Sequence, residues 1–282
     1  MAQYTIPWDR RMSSRQRPIR IGAVQYLNSK PLIEGLRTDD PEYELVMDYP
    51  SRLAERLMAG ELDVGLIPSI ECLRDGRYCV VSDACVACFG PVRSVKLHSR
   101  VPISRIRTLA LDEGSRTSAA LVRILLAERL GLRPRTSPFP CGAPIESVQA
   151  DAVLVIGDRA FHPPPPDFVE SWDLGEVWSN WTGLPFVFAL WAARPDAPLE
   201  RLSRLLTESR DVGVQRLNRI AQREAPRLSI PLPVAEEYLL RNLHFRLGER
   251  ERESLGVFRR LAVQHKFILE GADLEFYGVH SG

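Results

Sequence analysis

Asn28 and Ser29 stand where an apolar run gives way to a proline: residues 20–31 read Arg-Ile-Gly-Ala-Val-Gln-Tyr-Leu-Asn-Ser-Lys-Pro. Side-chain oxygens of Asn and Ser accept bonds from the orphan N–H groups that open a helix, and Pro31 suits the first helical turn. A strand end of this kind gathers donors and the positive end of a helix at one point, which is what a carboxylate needs. Tyr26 adds a phenol beside them. The arrangement recurs. Ser69 follows Leu66-Ile67-Pro68, and the run Asp112-Glu113-Gly114-Ser115-Arg116-Thr117-Ser118 leads from an apolar segment into a long amphipathic one. Val155-Ile156 ends in Gly157-Asp158, where a glycine lets a ligand approach the backbone. Arg93-Ser94 lies beside the turn-forming Gly90-Pro91. Taken singly, a Ser or Asp before a helix is an ordinary cap, and Arg116 can pair with Asp112 or Glu113 on the surface. Taken together, these residues describe a cleft for an anionic small molecule.

The elements that must position them follow from hydrophobic periodicity. Strands are expected at Ile19–Val24, Glu44–Met47 and Asp63–Ile67, with helices at Lys30–Leu36, Ser51–Met58 and Pro68–Leu73 between and after them. That alternation implies an α/β fold with a parallel sheet. Cys79–Phe89 reads as a further strand, and Phe89–Leu97 alternates as a strand passing between domains would. A second series follows: strand Thr108–Leu111, helix Ser118–Leu130 ended by Gly131, and strand Asp151–Ile156. His162-Pro163-Pro164-Pro165-Pro166-Asp167 can be neither helix nor central strand and reads as a surface loop. Pro185–Ala193 is a second candidate crossing strand, and from Leu199 onward the pattern is helical. Two crossings imply two lobes, residues 18–97 plus 186–282 and residues 98–185, preceded by a basic arm over residues 1–17. In such sheets ligands bind beyond the carboxyl ends of the strands, so the cleft lies between the lobes.

Composition limits what the cleft can serve. The 282 residues suffice for two domains with cores of their own. Thirty-seven basic against 36 acidic residues leave no excess to favour nucleic acid or anionic lipid. No run approaches the roughly 20 apolar residues of a membrane span, and the first 18 residues lack the apolar core of a secretory signal. The expected location is the cytoplasm, where thiols stay reduced. Cys85-Val-Ala-Cys88 sits in a strand-like run without a second close pair, so it reads as buried packing rather than as a zinc or redox site.

Ala23-Val24-Gln25-Tyr26-Leu27-Asn28-Ser29-Lys30-Pro31-Leu32 closely resembles the opening motif of the chorismate dehydratases of menaquinone biosynthesis. So do Asp63–Glu71, Ser115-Arg116-Thr117-Ser118 and Trp178–Phe186, in the family's order over residues 19 to about 265. Gln25 and Ser29 depart from the family's usual Ser and Thr. The resemblance implies a two-lobed, type II periplasmic-binding-protein-like fold turned to catalysis, with neither metal nor organic cofactor. The reaction it implies removes water from chorismate to give 3-[(1-carboxyvinyl)oxy]benzoate, on the futalosine route. Asn28 and Ser94 become the expected catalytic residues. Tyr26, Ser29, Ser69, Arg93, Ser115, Arg116, Thr117, Ser118, Gly157, Asp158 and Trp181 become the expected substrate contacts. None of His98, His162, His244, His265 and His280 lies in these motifs. The proton acceptor is therefore Glu71, Asp158 or the substrate's own enolpyruvyl carboxylate. A cytoplasmic solute-binding protein for a small carboxylate remains the alternative, because a fold does not dictate a function. The sister enzyme of the pathway is a third reading, but its opening motif differs.

Overall fold

The computed structural model describes residues 17–37, 39–74, 76–271 and 274–277. The basic arm, apart from Arg17, and His280 lie outside them. Strand β1 (Ile19–Val24) runs into a 3-10 turn at Leu27–Ser29 and the one-turn helix α1 (Lys30–Ile33). Then come β2 (Tyr43–Asp48), α2 (Pro50–Met58), β3 (Val64–Pro68), α3 (Ser69–Cys72) and β4 (Cys79–Cys88). The second lobe holds β5 (Val95–Ser99), β6 (Thr108–Asp112), α4 (Arg116–Leu130), β7 (Arg135–Phe139), β8 (Ala152–Ile156), β9 (Glu170–Asp173) and α5 (Leu174–Thr182). The chain returns through β10 (Phe186–Ala193), α6 (Leu199–Val214), α7 (Leu217–Glu224) and α8 (Leu232–Glu237). A π-helical turn (Tyr238–Asn242), β11 (Leu243–Arg246), α9 (Glu249–Gln264) and β12 (Glu275–Phe276) follow.

The strands form two sheets. In the first the order is β11-β4-β10-β3-β1-β2, with β12 on the far end of β4. β1 pairs in parallel with β2 and β3, whereas β10 lies antiparallel between β3 and β4. All eight residues of β10 are buried, as a central strand covered on both faces requires. The second sheet has the order β7-β6-β8-β5-β9, parallel among β6, β7 and β8 and antiparallel on both sides of β5. Every parallel strand therefore ends toward the groove between the lobes, where the helix-opening segments also lie.

Three features differ from the sequence reading. Residues 89–94 are not part of one long strand. Gly90 and Arg93 take positive φ values of 97° and 64°, and the carboxylate of Asp173 accepts from the N–H groups of Val92 (2.8 Å) and Arg93 (2.6 Å). That carboxylate also caps α5, so the first passage between sheets is a turn clamped to a helix end. The chain joins the second sheet at Val95, which pairs with Ile156. Finally, β7, β9, β11 and β12 are strands that periodicity did not mark. β7 is mostly exposed and contains Pro138, as an edge strand can, and β11 has four residues in a segment that otherwise reads as helix.

Gly131 ends α4 in the left-handed conformation, at φ 68°. Among the described residues no helix is long and apolar enough to cross a membrane. Cys85 and Cys88, three apart on β4, are both buried. Burial pushes their thiols, and those of Cys72 and Cys79, above the ordinary value. Only Cys141 is part-exposed. A thiol reagent added to native protein should label Cys141 alone, and all five cysteines once denaturant is present. Rapid native labelling of Cys85 or Cys88, read by peptide mass, would contradict the buried placement.

Candidate active site

β1 delivers Tyr26 and Asn28 to the groove, the clamped passage delivers Ser94, α4 delivers Ser115 and Ser118, and β8 delivers Gly157. These six line one small cavity of about 40 Å³, whose remaining walls are apolar side chains such as Val24, Val86 and Phe188. No formally charged side chain is among its lining residues. Its polarity comes from hydroxyls, an amide and a helix end. Ser115 is the N-cap of α4: its Oγ accepts from the Ser118 N–H at 3.3 Å and meets Ser118 Oγ at 3.0 Å. A 15-residue helix brings its positive end to this point. Tyr26 stays a neutral phenol, because burial and the nearby Asp112 raise its pKa well above the usual range.

The Asn28 Oδ1 atom is buried and accepts no hydrogen bond among the described residues. Ser94 Oγ accepts from the hydroxyl of Tyr238 at 2.7 Å, and the Ser94 carbonyl accepts from the Gly157 N–H at 2.9 Å. Gly157 has φ 73°, and a Cβ built there would lie 2.6 Å from the Tyr26 ring. Only glycine fits.

Other expected contacts are elsewhere. Ser29 is fully buried and spends its hydroxyl on the carbonyls of Val24 and Tyr26. Ser69 donates to the Val187 carbonyl at 2.8 Å. Thr117 Oγ1 lies 3.3 Å from Ser69 Oγ and accepts from the Ile70 N–H at 3.1 Å, which ties α4 of one lobe to α3 of the other. Arg93 turns outward to Glu237 at 3.0 Å. Arg116 also bridges the lobes, to Glu55 at 2.6 Å and Glu71 at 3.4 Å, in a wider outer groove of about 610 Å³. Trp181 packs edge-on against Trp178 with ring centres 5.8 Å apart, within the cluster formed by Phe186 and Phe258. The two arginines and Trp181 therefore leave the cavity for physical reasons: the arginines have carboxylate partners outside it and the indole has an aromatic one.

Asp158 also spans the lobes. Its Oδ1 accepts from the Leu27 N–H at 2.9 Å, and it faces a second recess of about 350 Å³ that Tyr26 separates from the cavity. Nearby, the buried Asp112 is held by the Arg159 guanidinium and by the N–H groups of Gly114 and Ile156, which shape the loop into α4. The residue that the sequence did not single out is Tyr238. It lies in the helical C-terminal region, far along the chain, and no local pattern distinguishes it.

A sequence profile described as menaquinone biosynthesis matches residues 19–264. The chain belongs to that family. It is similar to the chorismate dehydratase of Thermus thermophilus, at 34% identity over 260 residues, covering 86% of this chain and 94% of that protein. Among solved structures, an Archaeoglobus fulgidus protein superimposes with a TM-score of 0.73 at 17% identity, over 90% of this chain and all of that one. The periplasmic aliphatic sulphonate binding protein of Escherichia coli gives a TM-score of 0.56 at 14% identity, over 92% and 96% of the two chains. These likenesses show a two-sheet α/β fold of the periplasmic binding protein type II kind.

Burial raises the pKa of Asp158 from 3.8 to about 6, against the opposing pull of the Leu27 N–H and Lys30. The folded chain then holds a proton between about pH 4 and 6 that the unfolded chain has lost, so this group's contribution falls as pH rises through that window. Above it the folded state carries a cost of up to about 3 kcal/mol. Asp158→Asn keeps an acceptor for Leu27 and removes the charge. Denaturant unfolding should find the variant more stable than the parent by about 1–3 kcal/mol near pH 7.5, and equal to it below about pH 4. A less stable variant at pH 7.5 would mean that the carboxylate has a favourable partner.

Proposed function

We propose that this protein is a chorismate dehydratase, eliminating water from chorismate to give 3-[(1-carboxyvinyl)oxy]benzoate for menaquinone biosynthesis. The observation that carries the reading is the convergence of Asn28 and Ser94 on one uncharged cavity at the end of α4. The likeness to the Thermus thermophilus enzyme supports it. Chorismate's C3 hydrogen is vinylogous to the ring carboxylate. Held among the Ser115 and Ser118 hydroxyls and the opening N–H groups of α4, that carboxylate accepts charge as the proton leaves, and donors fixed in a water-poor site stabilise the dienolate. Loss of the C4 hydroxyl then aromatises the ring. The proton from C3 and the hydroxyl from C4 depart together as water, so the atoms balance without oxidant or reductant.

The base in this reading is the substrate's enolpyruvyl carboxylate. Glu71 is occupied by Arg74 and Arg116, at 3.3 and 3.4 Å, and Asp158 faces the neighbouring recess. Asn28 and Ser94 hold the departing hydroxyl. Known ligand pockets span about 300–1,000 Å³, so the lobes must part to admit chorismate and to release product.

Purified protein mixed with chorismate should yield a product lighter by one water, at a rate that excess chelator does not change. Asn28→Ala and Ser94→Ala should each lower kcat by about 10²–10³, the usual loss for one preorganised contact at a reacting centre. Glu71→Gln should stay within about tenfold of the parent, as befits a residue outside the hydrogen-bond reach that a general base requires. A dead Glu71→Gln beside a nearly normal Asn28→Ala would hand proton abstraction to the enzyme. Tight binding of chorismate without turnover would make the chain a solute-binding protein.

A further inference from the structure

We infer that Tyr238 is a positioning residue of this site: its hydroxyl links the Asn28 amide to the Ser94 hydroxyl and so aims one acceptor and one donor at the same point in the cavity. The inference deepens the dehydratase reading and rests on it.

Tyr238 opens the π-helical turn between α8 and β11 and is 1% exposed. Such turns break the regular helical ladder and often mark functional positions. Its ring is held edge-on by Phe161 of the other lobe, with centres 4.7 Å apart and planes at 80°. A buried phenol needs partners for its oxygen and its hydrogen. Here the hydrogen goes to Ser94 Oγ at 2.7 Å, and the Asn28 side chain is the phenol's other polar neighbour. Tyr238 itself does not line the cavity, whereas Asn28 and Ser94 both do.

The donor and acceptor inventory then decides the outcome. A serine hydroxyl has one hydrogen to give. Since Ser94 Oγ accepts from Tyr238, its own hydrogen is free to turn into the cavity, and among the described residues no protein group receives it. Asn28 Oδ1 is buried and, among the described residues, without a partner, which in this inference leaves its N–H side to face the phenol oxygen. One end of the chain thus offers a hydrogen and the other a lone pair. A ligand hydroxyl, which has one hydrogen and free lone pairs, satisfies both at once. The leaving C4 hydroxyl of chorismate is such a group, and the donation from Ser94 strengthens as negative charge builds on its oxygen. Tyr238 transfers no proton in this scheme. Its hydrogen bond fixes which way the two residues that touch the substrate point.

The test is a double-mutant cycle in the full chain, with kcat and KM for chorismate read on the parent, Tyr238→Phe, Ser94→Ala and the double variant. Tyr238→Phe should lower kcat by about 10- to 100-fold, the loss typical when an outer partner of a reacting group is removed. KM should change by less than about threefold, as for an interaction made in the transition state. The double variant should be slower than Ser94→Ala by clearly less than the factor Tyr238→Phe costs the parent, because the part of the tyrosine's effect that passes through the serine is already lost. A purely structural tyrosine would multiply with Ser94→Ala instead, and that result, or parental kcat in Tyr238→Phe, overturns the inference while leaving the dehydratase reading in place. A parent that does not convert chorismate overturns the reading and the inference together. Should Tyr238→Phe fail to fold, Asn28→Asp probes the same chain. A carboxylate there takes the tyrosine hydrogen away from Ser94, so adding Ser94→Ala to Asn28→Asp should cost little more than Asn28→Asp alone, and full multiplication of the two losses would overturn the inference.

Discussion

The two lobes meet at backbone distance, and one contact sets how closely. Gly157 at the end of β8 lies under the Tyr26 ring at the end of β1, where a single added carbon would sit 2.6 Å from the aromatic atoms. Because the glycine yields this space, its N–H reaches the Ser94 carbonyl and the next residue, Asp158, reaches the Leu27 N–H. Those bonds bring the ends of two sheets and the clamped passage at residues 92–94 to one place. The same approach makes the cavity small. Its lining is fixed by atoms from both lobes, so its shape exists only while they are together.

Charge and dipole divide the work. Inside the cavity the polar groups are neutral: hydroxyls, an amide, and the first turn of α4. A carboxylate held there meets donors whose orientation is already set and no countercharge that would hold it too tightly to react. Around the cavity stand the ion pairs, Arg116 with Glu55 and Glu71 and Arg93 with Glu237. The Arg93–Glu237 and Arg116–Glu55 pairs have both side chains largely exposed, and such contacts contribute about 0–1 kcal/mol. They can hold the lobes closed and still give way when the lobes part. An arrangement with the arginines inside would bind an anion more strongly and open less readily.

Much of this was readable in the residue order. The ends of β1, β3, β6 and β8 fall within a residue or two of where periodicity and capping place them, because a buried strand and a helix start are both local patterns. The cleft, and Asn28, Ser94 and Gly157 within it, follow from strand ends and from the family resemblance. What the order does not carry is the direction a side chain takes once a competing partner is near. Ser29 and Ser69 sit at strand ends like Asn28, yet backbone carbonyls claim their hydroxyls. Arg93 neighbours Ser94, yet its left-handed backbone turns it toward Glu237. Tyr238 and β11 lie beyond local pattern altogether: their roles arise from pairing with residues 144 and more than 150 positions away.

In the proposed dehydratase, the cavity between Asn28, Ser94 and the start of α4 receives chorismate. A crystal structure of the protein with 3-[(1-carboxyvinyl)oxy]benzoate tests it most directly. One product molecule should lie between the lobes, its ring carboxylate within hydrogen-bond distance of the Ser115 and Ser118 hydroxyls. The ring carbon that bore the leaving hydroxyl should face Asn28 Oδ1 and Ser94 Oγ. Product seated instead in the outer groove beside Arg52 and Arg116, or in the recess beside Asp158, with this cavity left to solvent, would contradict it.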